Sequence, residues 1–175
     1  MKIALASARI ADRDVQHNLS QMEHFMREAK AAGACLVCFG EVFLHGFNAL
    51  TWQYVEDQQI ALTVSSQTFA QIKTLTMEID IDVLFGYNEL AGNAIYSSCA
   101  LISGGRLLHN YRRISKGWRE VSRTDAHYQE GTTVEVFDYR GRKCAIGLCG
   151  DLWDYPERFA LGEELLLWPV YVSWT

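Results

Sequence analysis

Hydrophobic and polar residues at the start of the chain follow strand spacing first and helix spacing next. The opening run KIALASAR alternates and ends in a polar turn, which predicts a strand. Segment 17–33 then places its apolar residues on one helical face, and Gly33 is suited to end that helix. These residues are Leu19, Met22, Met26 and Ala29. The run ACLVCF that follows has no polar residue, which is typical of a strand covered on both faces, and it ends just before Gly40.

The remaining pattern predicts one more long helix and a series of strands. The helix is indicated by apolar residues at helical spacing, with Ser65 or Ser66 as its N-terminal cap. These apolar residues are Phe69, Ile72, Leu75 and Ile79. The runs DVLFGYNEL, AIYSSCALI, RLLHNYRRI, TTVEVFDY and KCAIGL have strand character, and glycine turns join several of them. Mixed βα and ββ connections predict a layered α/β architecture with a mixed sheet.

The end of the sequence is unusual for such an architecture. Pro156 suits the first turn of a short helix, PERFALGEE, and LLLWPVYV then predicts a last buried strand. Only three residues, SWT, follow that strand, and they are too few to cover its outer face. We therefore expect residues 1–175 to form a single, incomplete domain that is truncated or is completed by a partner.

Composition and charge narrow the class of protein. The 175 residues are 49% hydrophobic and 21% charged, as in a globular domain with a substantial core. The formal net charge is −5 without a block of like charges, which predicts a small neutral or polar partner rather than nucleic acid or a membrane. Arg9 interrupts the early apolar run too soon for a signal peptide or a membrane span, so we expect a cytoplasmic protein.

Polar side chains follow three of the predicted strands. Glu41 comes after ACLVCFG, Lys116 after YRRIS and Cys149 after CAIGL. Side chains at strand ends in α/β proteins converge on clefts, so these three form a testable constellation. A thiol needs a base or a nearby cation to attack at neutral pH. Glu41 is then the candidate base and Lys116 the candidate cation for an oxyanion, while Gly150 leaves room for substrate beside the sulfur.

The alternative for Cys149 is a core cysteine, because free cysteine is among the most buried residue types. The chain has five cysteines, an odd number scattered through apolar runs, which predicts free thiols rather than a disulfide framework. Cys35 and Cys38 formally match C-x-x-C, the spacing of redox and metal sites. They lie in a strand, where positions three apart face opposite sides, so core packing is favoured for them.

Three segments together resemble, in order, the signature segments of the carbon-nitrogen hydrolase, or nitrilase, superfamily. They are FGEVFLHGF, YRRISKGW and CAIGLCGDLWDYPERF. The similarity extends over nearly the whole chain, from KIALASARI to LLLWPVYV. It implies an α-β-β-α sandwich, here without its C-terminal part, and a Glu-Lys-Cys triad at Glu41, Lys116 and Cys149. It also implies that the reaction needs no metal and no organic cofactor.

The resemblance further implies hydrolysis of a non-peptide C–N bond through a thioester on Cys149. We expect an amidase or an N-carbamoyl amidohydrolase that acts on a small molecule, and a homodimer or higher oligomer for the full-length form. Many members carry a second glutamate beyond the lysine. That position falls on Thr124 here, while Glu120 is nearby but out of register.

Several residues near these positions have both a functional and a structural interpretation. Trp118 and Trp153 are candidate apolar walls of a substrate pocket, although core packing explains Trp153 equally well. Asp151 is predicted to cap the turn that follows it rather than to join the site. His45 is a candidate for the mouth of the pocket, but a loop histidine without a visible partner is more often structural or exposed.

Two other functions remain open from the sequence. The chain could be a truncated, non-catalytic remnant or an interaction module of the same fold, with LLLWPVYV as an association surface. It could also be an α/β domain that binds a small molecule without turnover. A hydrolase releases product, whereas a binding domain predicts protection of Cys149 by ligand and no product.

Overall fold

The first 112 residues contribute a five-stranded sheet. In this computed structural model, which describes residues 1–171, its strands lie in the order of the sequence. They are β1 (Ile3–Leu5), β2 (Leu36–Cys38), β3 (Asp82–Ala91), β4 (Ala94–Ser103) and β5 (Arg106–Arg112). Strands β1 to β3 run parallel, while β3, β4 and β5 form an antiparallel meander. The mixed sheet expected from the sequence is confirmed.

The C-terminal part of the chain forms a second, smaller sheet. It has three strands, β6 (Phe137–Tyr139), β7 (Arg142–Ile146) and β8 (Leu165–Leu167). Strand β7 pairs antiparallel with β6 and parallel with β8. All three are shorter than the apolar runs that predicted them. In LLLWPVYV only the first three residues are a strand, and Val172 lies outside the described residues.

Two long helices cover one face of the five-stranded sheet. They are α1 (Val15–Ala31) and α3 (Gln67–Ile79), and the side chains of Asp14 and Ser66 accept hydrogen bonds from their first turns. All four residues of the predicted apolar face of α1 are buried, and Met22 and Met26 are completely inaccessible. Burial of each methionine contributes about 1.5–3 kcal/mol to folding.

Four short helical segments complete the described chain. They are the α-helices α2 (Tyr54–Asp57) and α4 (Asp151–Asp154) and the 3-10 turns Lys116–Trp118 and Pro156–Phe159. The predicted helix PERFALGEE is therefore a single turn that begins at Pro156. No helix within residues 1–171 is long and apolar enough to cross a bilayer.

The core has two layers, one on each side of the five-stranded sheet. The first layer joins α1 and α3 to one sheet face. The second fills the space between the two sheets and includes Leu84 and Leu101 from the larger sheet and Cys144 and Ile146 from the smaller one. Helices, sheet and second sheet are therefore stacked in the order expected of the sandwich, and the strand ends that carry the candidate residues meet at one edge.

Candidate active site

Glu41 is held rigidly at the end of β2. Its backbone crosses directly over Gly86 in β3, where a Cβ atom would lie 2.8 Å from the Glu41 Cα, so only glycine allows this approach. The Glu41 side chain is only 2% exposed. Its Oε1 accepts hydrogen bonds from Arg113 Nη1 at 2.7 Å and from Ser97 Oγ at 3.3 Å. Its Oε2 is buried without a partner among the described residues.

The cation at Glu41 is Arg113, which the sequence analysis did not single out. Arg113 follows the last residue of β5, its side chain is 5% exposed, and its Nε donates to Ser115 Oγ at 2.7 Å. A Cβ on Gly150 would collide with Arg113 Nη2, so the guanidinium also lies against the loop of Cys149. Alternation along β5 is the signal that identifies Arg113, because Tyr111 and Arg113 share the inward face.

Cys149 lies in the tight loop between β7 and α4. Its backbone has φ +39°, a left-handed conformation that costs a non-glycine residue conformational energy and is enriched at functional sites. Three main-chain contacts hold it there. The Cys149 N–H donates to Pro169 O at 3.0 Å, its carbonyl accepts from Trp168 Nε1 at 2.9 Å, and its Sγ lies 3.9 Å from Tyr171 O.

The thiol of Cys149 is neutral at rest. Burial raises its pKa to about 11, and the charge and hydrogen bonding of the Glu41 carboxylate raise it too, while Arg113 and the Tyr171 carbonyl act in the opposite direction. The Glu41 carboxylate is therefore a neighbour of the Cys149 thiol. A neutral thiol beside a carboxylate is suited to proton transfer during attack rather than to a stored thiolate.

Asp151 links the loop of Cys149 to the end of β5, which differs from the predicted cap. Its Oδ1 accepts from the N–H groups of Ile114 and Ser115 at 3.0 and 2.7 Å. Its Oδ2 accepts from the Leu148 N–H at 3.0 Å and from Tyr111 Oη at 2.7 Å. The carboxylate is completely buried. It fixes the position of Cys149 relative to Arg113.

Lys116 does not join Glu41 and Cys149, which corrects the sequence-based assignment. It lies in the 3-10 turn Lys116–Trp118, three residues past Arg113, and it is exposed. None of the ion pairs described for the structure includes it, whereas Arg113 pairs with Glu41. The short turn directs the chain outward after β5, so the buried cation is the residue closest to the strand end.

The two candidates for the second glutamate also lie away from Glu41. Glu120 is exposed, and its Oε1 accepts from Ser122 Oγ at 2.9 Å. Thr124 Oγ1 donates to the Glu120 carbonyl at 3.0 Å and accepts from Arg119 Nη1 at 3.1 Å. Neither residue has a described contact with Glu41 or Cys149.

The two tryptophans are separated by the fold. Trp153 is 59% exposed and packs edge-on against Trp168 with ring centroids 5.8 Å apart, so it does not form a pocket wall. Trp118 is half-buried and packs against Trp52 and Tyr128. It lines the same cavity as Glu41, so its role as a substrate wall stays a prediction.

A cavity of about 300 Å³ opens beside Glu41. Its described lining includes Glu41, Trp52, Asn88, Ser97, Trp118 and Arg123. This volume is at the lower end of the range for small-molecule sites, which is about 300–1,000 Å³. Phe47 also lines this cavity, and it stacks on Tyr171 with ring centroids 4.1 Å apart. The sequence analysis missed Asn88, because a polar residue inside a predicted strand carries no signal of which cavity it faces.

Three of the remaining cysteines and His45 are buried in the protein interior. Cys38, Cys99 and Cys144 are buried, and burial raises the pKa of Cys38 to about 12. His45 is fully buried behind the cavity. Within residues 1–171, no group of three His, Cys, Asp or Glu side chains is arranged to hold a metal ion. The expectation of a reaction without metal or cofactor stays a prediction.

Known proteins similar to this chain share one family. The carbon-nitrogen hydrolase family model matches residues 2–161. An N-carbamoylputrescine amidase of Oryza sativa subsp. japonica is 25% identical over 183 residues, which cover 98% of this chain and 59% of that protein. An arylacetonitrilase of Aspergillus oryzae is 30% identical over 122 residues, 65% of this chain and 37% of that protein.

A solved structure supports the same fold. The crystal structure of an amidase from Nesterenkonia sp. superposes with a TM-score of 0.81 at 20% sequence identity, over 99% of this chain and 66% of that chain. The α/β sandwich expected from the sequence is therefore confirmed. The chain spans 37% to 59% of the length of the two curated relatives.

Proposed function

This chain belongs to the carbon-nitrogen hydrolase family, and we propose that it hydrolyses a small amide or N-carbamoyl compound through a thioester on Cys149. The observation that supports the proposal best is the buried group of Glu41, Arg113 and Cys149, in which a carboxylate held by a guanidinium acts on a neutral thiol. These residues stand at strand ends that the two sheets bring to a common edge.

In the first half of the proposed reaction, Glu41 Oε2 takes the thiol proton as the sulfur attacks the carbonyl carbon. The new S–C bond moves the carbonyl electron pair to oxygen, and the positive charge of Arg113 stabilises both the carboxylate and the oxyanion. Glu41 then returns the proton to the leaving nitrogen, the C–N bond breaks, and ammonia or an amine departs. The acyl group remains on Cys149 as a thioester.

In the second half, water attacks the thioester with Glu41 as its base. The C–S bond breaks, the thiol regains a proton, and the acid or carbamic acid leaves. The thiol pKa of about 11 requires a base in the first half, since almost no thiolate exists at neutral pH. Glu41 is the buried carboxylate in position to supply it.

The proposal is tested by turnover together with capture of the acyl intermediate. The protein is incubated with a panel of primary amides and N-carbamoyl compounds, ammonia is measured, and intact mass reports an acyl adduct on the Cys149 peptide. We expect Cys149→Ala to abolish both signals, and Glu41→Gln to slow ammonia release by about 100-fold or more through loss of the base.

Cys144→Ala is the matched control, because Cys144 is a buried cysteine of strand β7, the strand that precedes the loop of Cys149. This variant should keep both turnover and the adduct. Ammonia release that survives Cys149→Ala would refute the thioester mechanism. A folded protein that gives neither ammonia nor adduct with any compound would favour the non-catalytic remnant.

A further inference from the structure

All buried side-chain polar atoms that lack a partner among the described residues lie at one place. They are Glu41 Oε2, Trp118 Nε1 and both polar atoms of Asn88. The same three residues line the cavity of about 300 Å³ beside Glu41. Buried polar groups nearly always have hydrogen-bond partners, so a cluster of unpartnered ones around one cavity indicates that a ligand supplies them.

Asn88 is positioned to recognise a ligand by hydrogen bonds next to the Glu41 carboxylate. It lies in β3 opposite Ser97 of β4, so both side chains project from the same sheet face, and Ser97 Oγ donates to Glu41. The main chain of Asn88 is fixed on both sides. Its N–H donates to His45 Nδ1 at 3.1 Å, and its carbonyl accepts from the Leu62 N–H at 3.0 Å. A rigid backbone thus presents a free amide, although Asn88 is 1% exposed.

The unpartnered atoms define the chemistry of the ligand. The Asn88 side chain offers a donor and an acceptor together, which complements a group that carries both C=O and N–H, such as a carboxamide or a ureide. Trp118 Nε1 offers one more donor, which needs an acceptor on the ligand. A purely aliphatic ligand would leave all of these groups without partners, so the cavity disfavours it.

The charged residues of the cavity determine whether it favours an anionic or a cationic ligand. Among the described lining residues, Glu41 and Arg123 are the charged ones, and Glu41 is already neutralised by Arg113. Arg123 Nη2 donates to the Thr51 carbonyl at 2.9 Å, and no described carboxylate pairs with its guanidinium. The outer part of the cavity therefore has an excess positive charge, which attracts an anion and repels a cation.

We propose that this cavity selects a compact carboxamide or ureide with a carboxylate at the end away from Glu41. Asn88 and Trp118 hydrogen-bond the carboxamide or ureide group, and Arg123 attracts the carboxylate. The inference rests on the proposed function, because it assigns the cleaved bond to the end of the ligand near Glu41. It excludes amides with an ammonium group at the far end as preferred substrates.

Binding to the Cys149→Ala protein tests the sign of charge without interference from turnover. Calorimetric titrations use three amides of similar length, namely succinamate, butanamide and 4-aminobutanamide. We expect succinamate to bind most tightly and 4-aminobutanamide least tightly. Arg123→Gln should weaken succinamate about fivefold and leave butanamide unchanged, as an exposed ion pair predicts. Arg106→Gln is the control, because Arg106 is an equally exposed arginine at the start of β5.

The Asn88→Ala variant is compared with a control substitution at a second buried asparagine, Asn18. Asn18 is also inaccessible, but its side chain accepts from the Ala11 N–H and donates to the carbonyls of Ala11 and Leu44. Asn18→Ala should therefore lower the unfolding temperature and leave affinity unchanged. Asn88→Ala removes no internal hydrogen bond, so the unfolding temperature should hold or rise, while butanamide binding weakens about tenfold.

The outcomes separate this inference from the proposed function. Equal affinity for the three amides, or an Asn88→Ala protein that is destabilised but binds normally, overturns the inference even if amides are hydrolysed. The expected binding order in a protein that hydrolyses nothing would support the cavity assignment and refute the proposed reaction.

Discussion

A buried arginine stands at Glu41, where the family resemblance implied a lysine. The Arg113 guanidinium has several donors in a fixed plane, which lets Nη1 bind Glu41 while Nε binds Ser115. A lysine ammonium at this position could not span both partners in that geometry. Arg113 therefore combines the role of counter-ion with that of a structural bridge.

Arg113→Met is expected to damage stability and thiol chemistry together. It leaves the Glu41 carboxylate buried without a counter-ion, which costs about 3–5 kcal/mol in the free energy of unfolding. It also removes the cation that lowers the pKa of Cys149, so this pKa should rise further above about 11. The rate of Cys149 alkylation by iodoacetamide, followed against pH, should shift to higher pH.

Arg112→Met provides the comparison for Arg113→Met. Arg112 also pairs with a buried glutamate, Glu89, which is 4% exposed, whereas the charges that shift the pKa of Cys149 most are Glu41 and Arg113. This variant should lose stability with the alkylation profile of Cys149 unchanged. If both variants shift the profile equally, the effect of Arg113 is a general loss of structure and its electrostatic role is refuted.

The sequence predicted Glu41 and Cys149 as site residues but did not single out the cation that pairs with Glu41. Both are single polar residues that follow continuous apolar strands, so their position at the sheet edge could be inferred. Three cations occur within five residues after Tyr111, and spacing along the chain does not tell which one turns inward. Strand alternation selects Arg113, whereas the motif suggested Lys116.

At the scale of elements, the site depends on the contact between the end of β5 and the loop after β7. These segments belong to different sheets, and the Asp151 carboxylate connects them through hydrogen bonds to both. Burial and the nearby Asp151 charge raise the pKa of Tyr111, which therefore stays a neutral donor to that carboxylate. The end of β5 and the loop of Cys149 are thus coupled by one side chain.

Asp151→Asn is expected to loosen this coupling. An asparagine directs an N–H₂ group at donors that need an acceptor, so about two of the hydrogen bonds are lost at about 1.5–3 kcal/mol each. The free energy of unfolding should fall by about 3–6 kcal/mol. Displacement of Cys149 from Arg113 should also move the pH profile of Cys149 alkylation, which is measured on protein that circular dichroism shows to be folded.

Asp57→Asn is the matched control for Asp151→Asn. Asp57 is an equally buried carboxylate that accepts from Thr51, Trp52 and Tyr128. Its loss should destabilise the protein to a similar degree with no shift in the Cys149 profile. An unchanged profile in Asp151→Asn would mean that Asp151 stabilises the fold without positioning the nucleophile.

Element boundaries were harder to predict than element order. The order of strands and helices was largely correct, because apolar spacing reports which segments are buried. The strands β6, β7 and β8 are shorter than their apolar runs because those runs continue into loops that pack between the sheets, as Leu148 does. The four-residue helix α2 has no apolar periodicity that could predict it.

At the scale of the whole molecule, the cavity stands between the sheet face and the loop that carries His45. The His45 Nδ1 accepts from the Asn88 N–H, so its Nε2 carries the proton and donates to the Ile60 carbonyl at 2.9 Å. Both ring nitrogens are used only in the neutral form. Cavity shape is thereby tied to the protonation state of a residue that does not touch the ligand.

Acid should therefore destabilise the protein through His45. Burial lowers its pKa from 6.5 to about 4, partly offset by the hydrogen bond to Ile60. The unfolded chain takes up a proton near pH 6.5 and the folded one only near pH 4, so this contribution to stability is intact above 6.5 and falls by about 3 kcal/mol between these limits.

Urea unfolding at pH 7.0 and pH 4.5 measures this loss in the wild type and in His45→Gln. Glutamine cannot titrate, so the variant should be less stable at pH 7.0 but should lose less stability on acidification than the wild type does. His24→Gln, which changes an exposed histidine, should retain the full wild-type loss. Equal losses in all three proteins would show that groups other than His45 cause the acid sensitivity. A smaller loss in His45→Gln would instead attribute it to the histidine behind Asn88, and amide binding by the folded wild type should then weaken only as the pH falls through about 4.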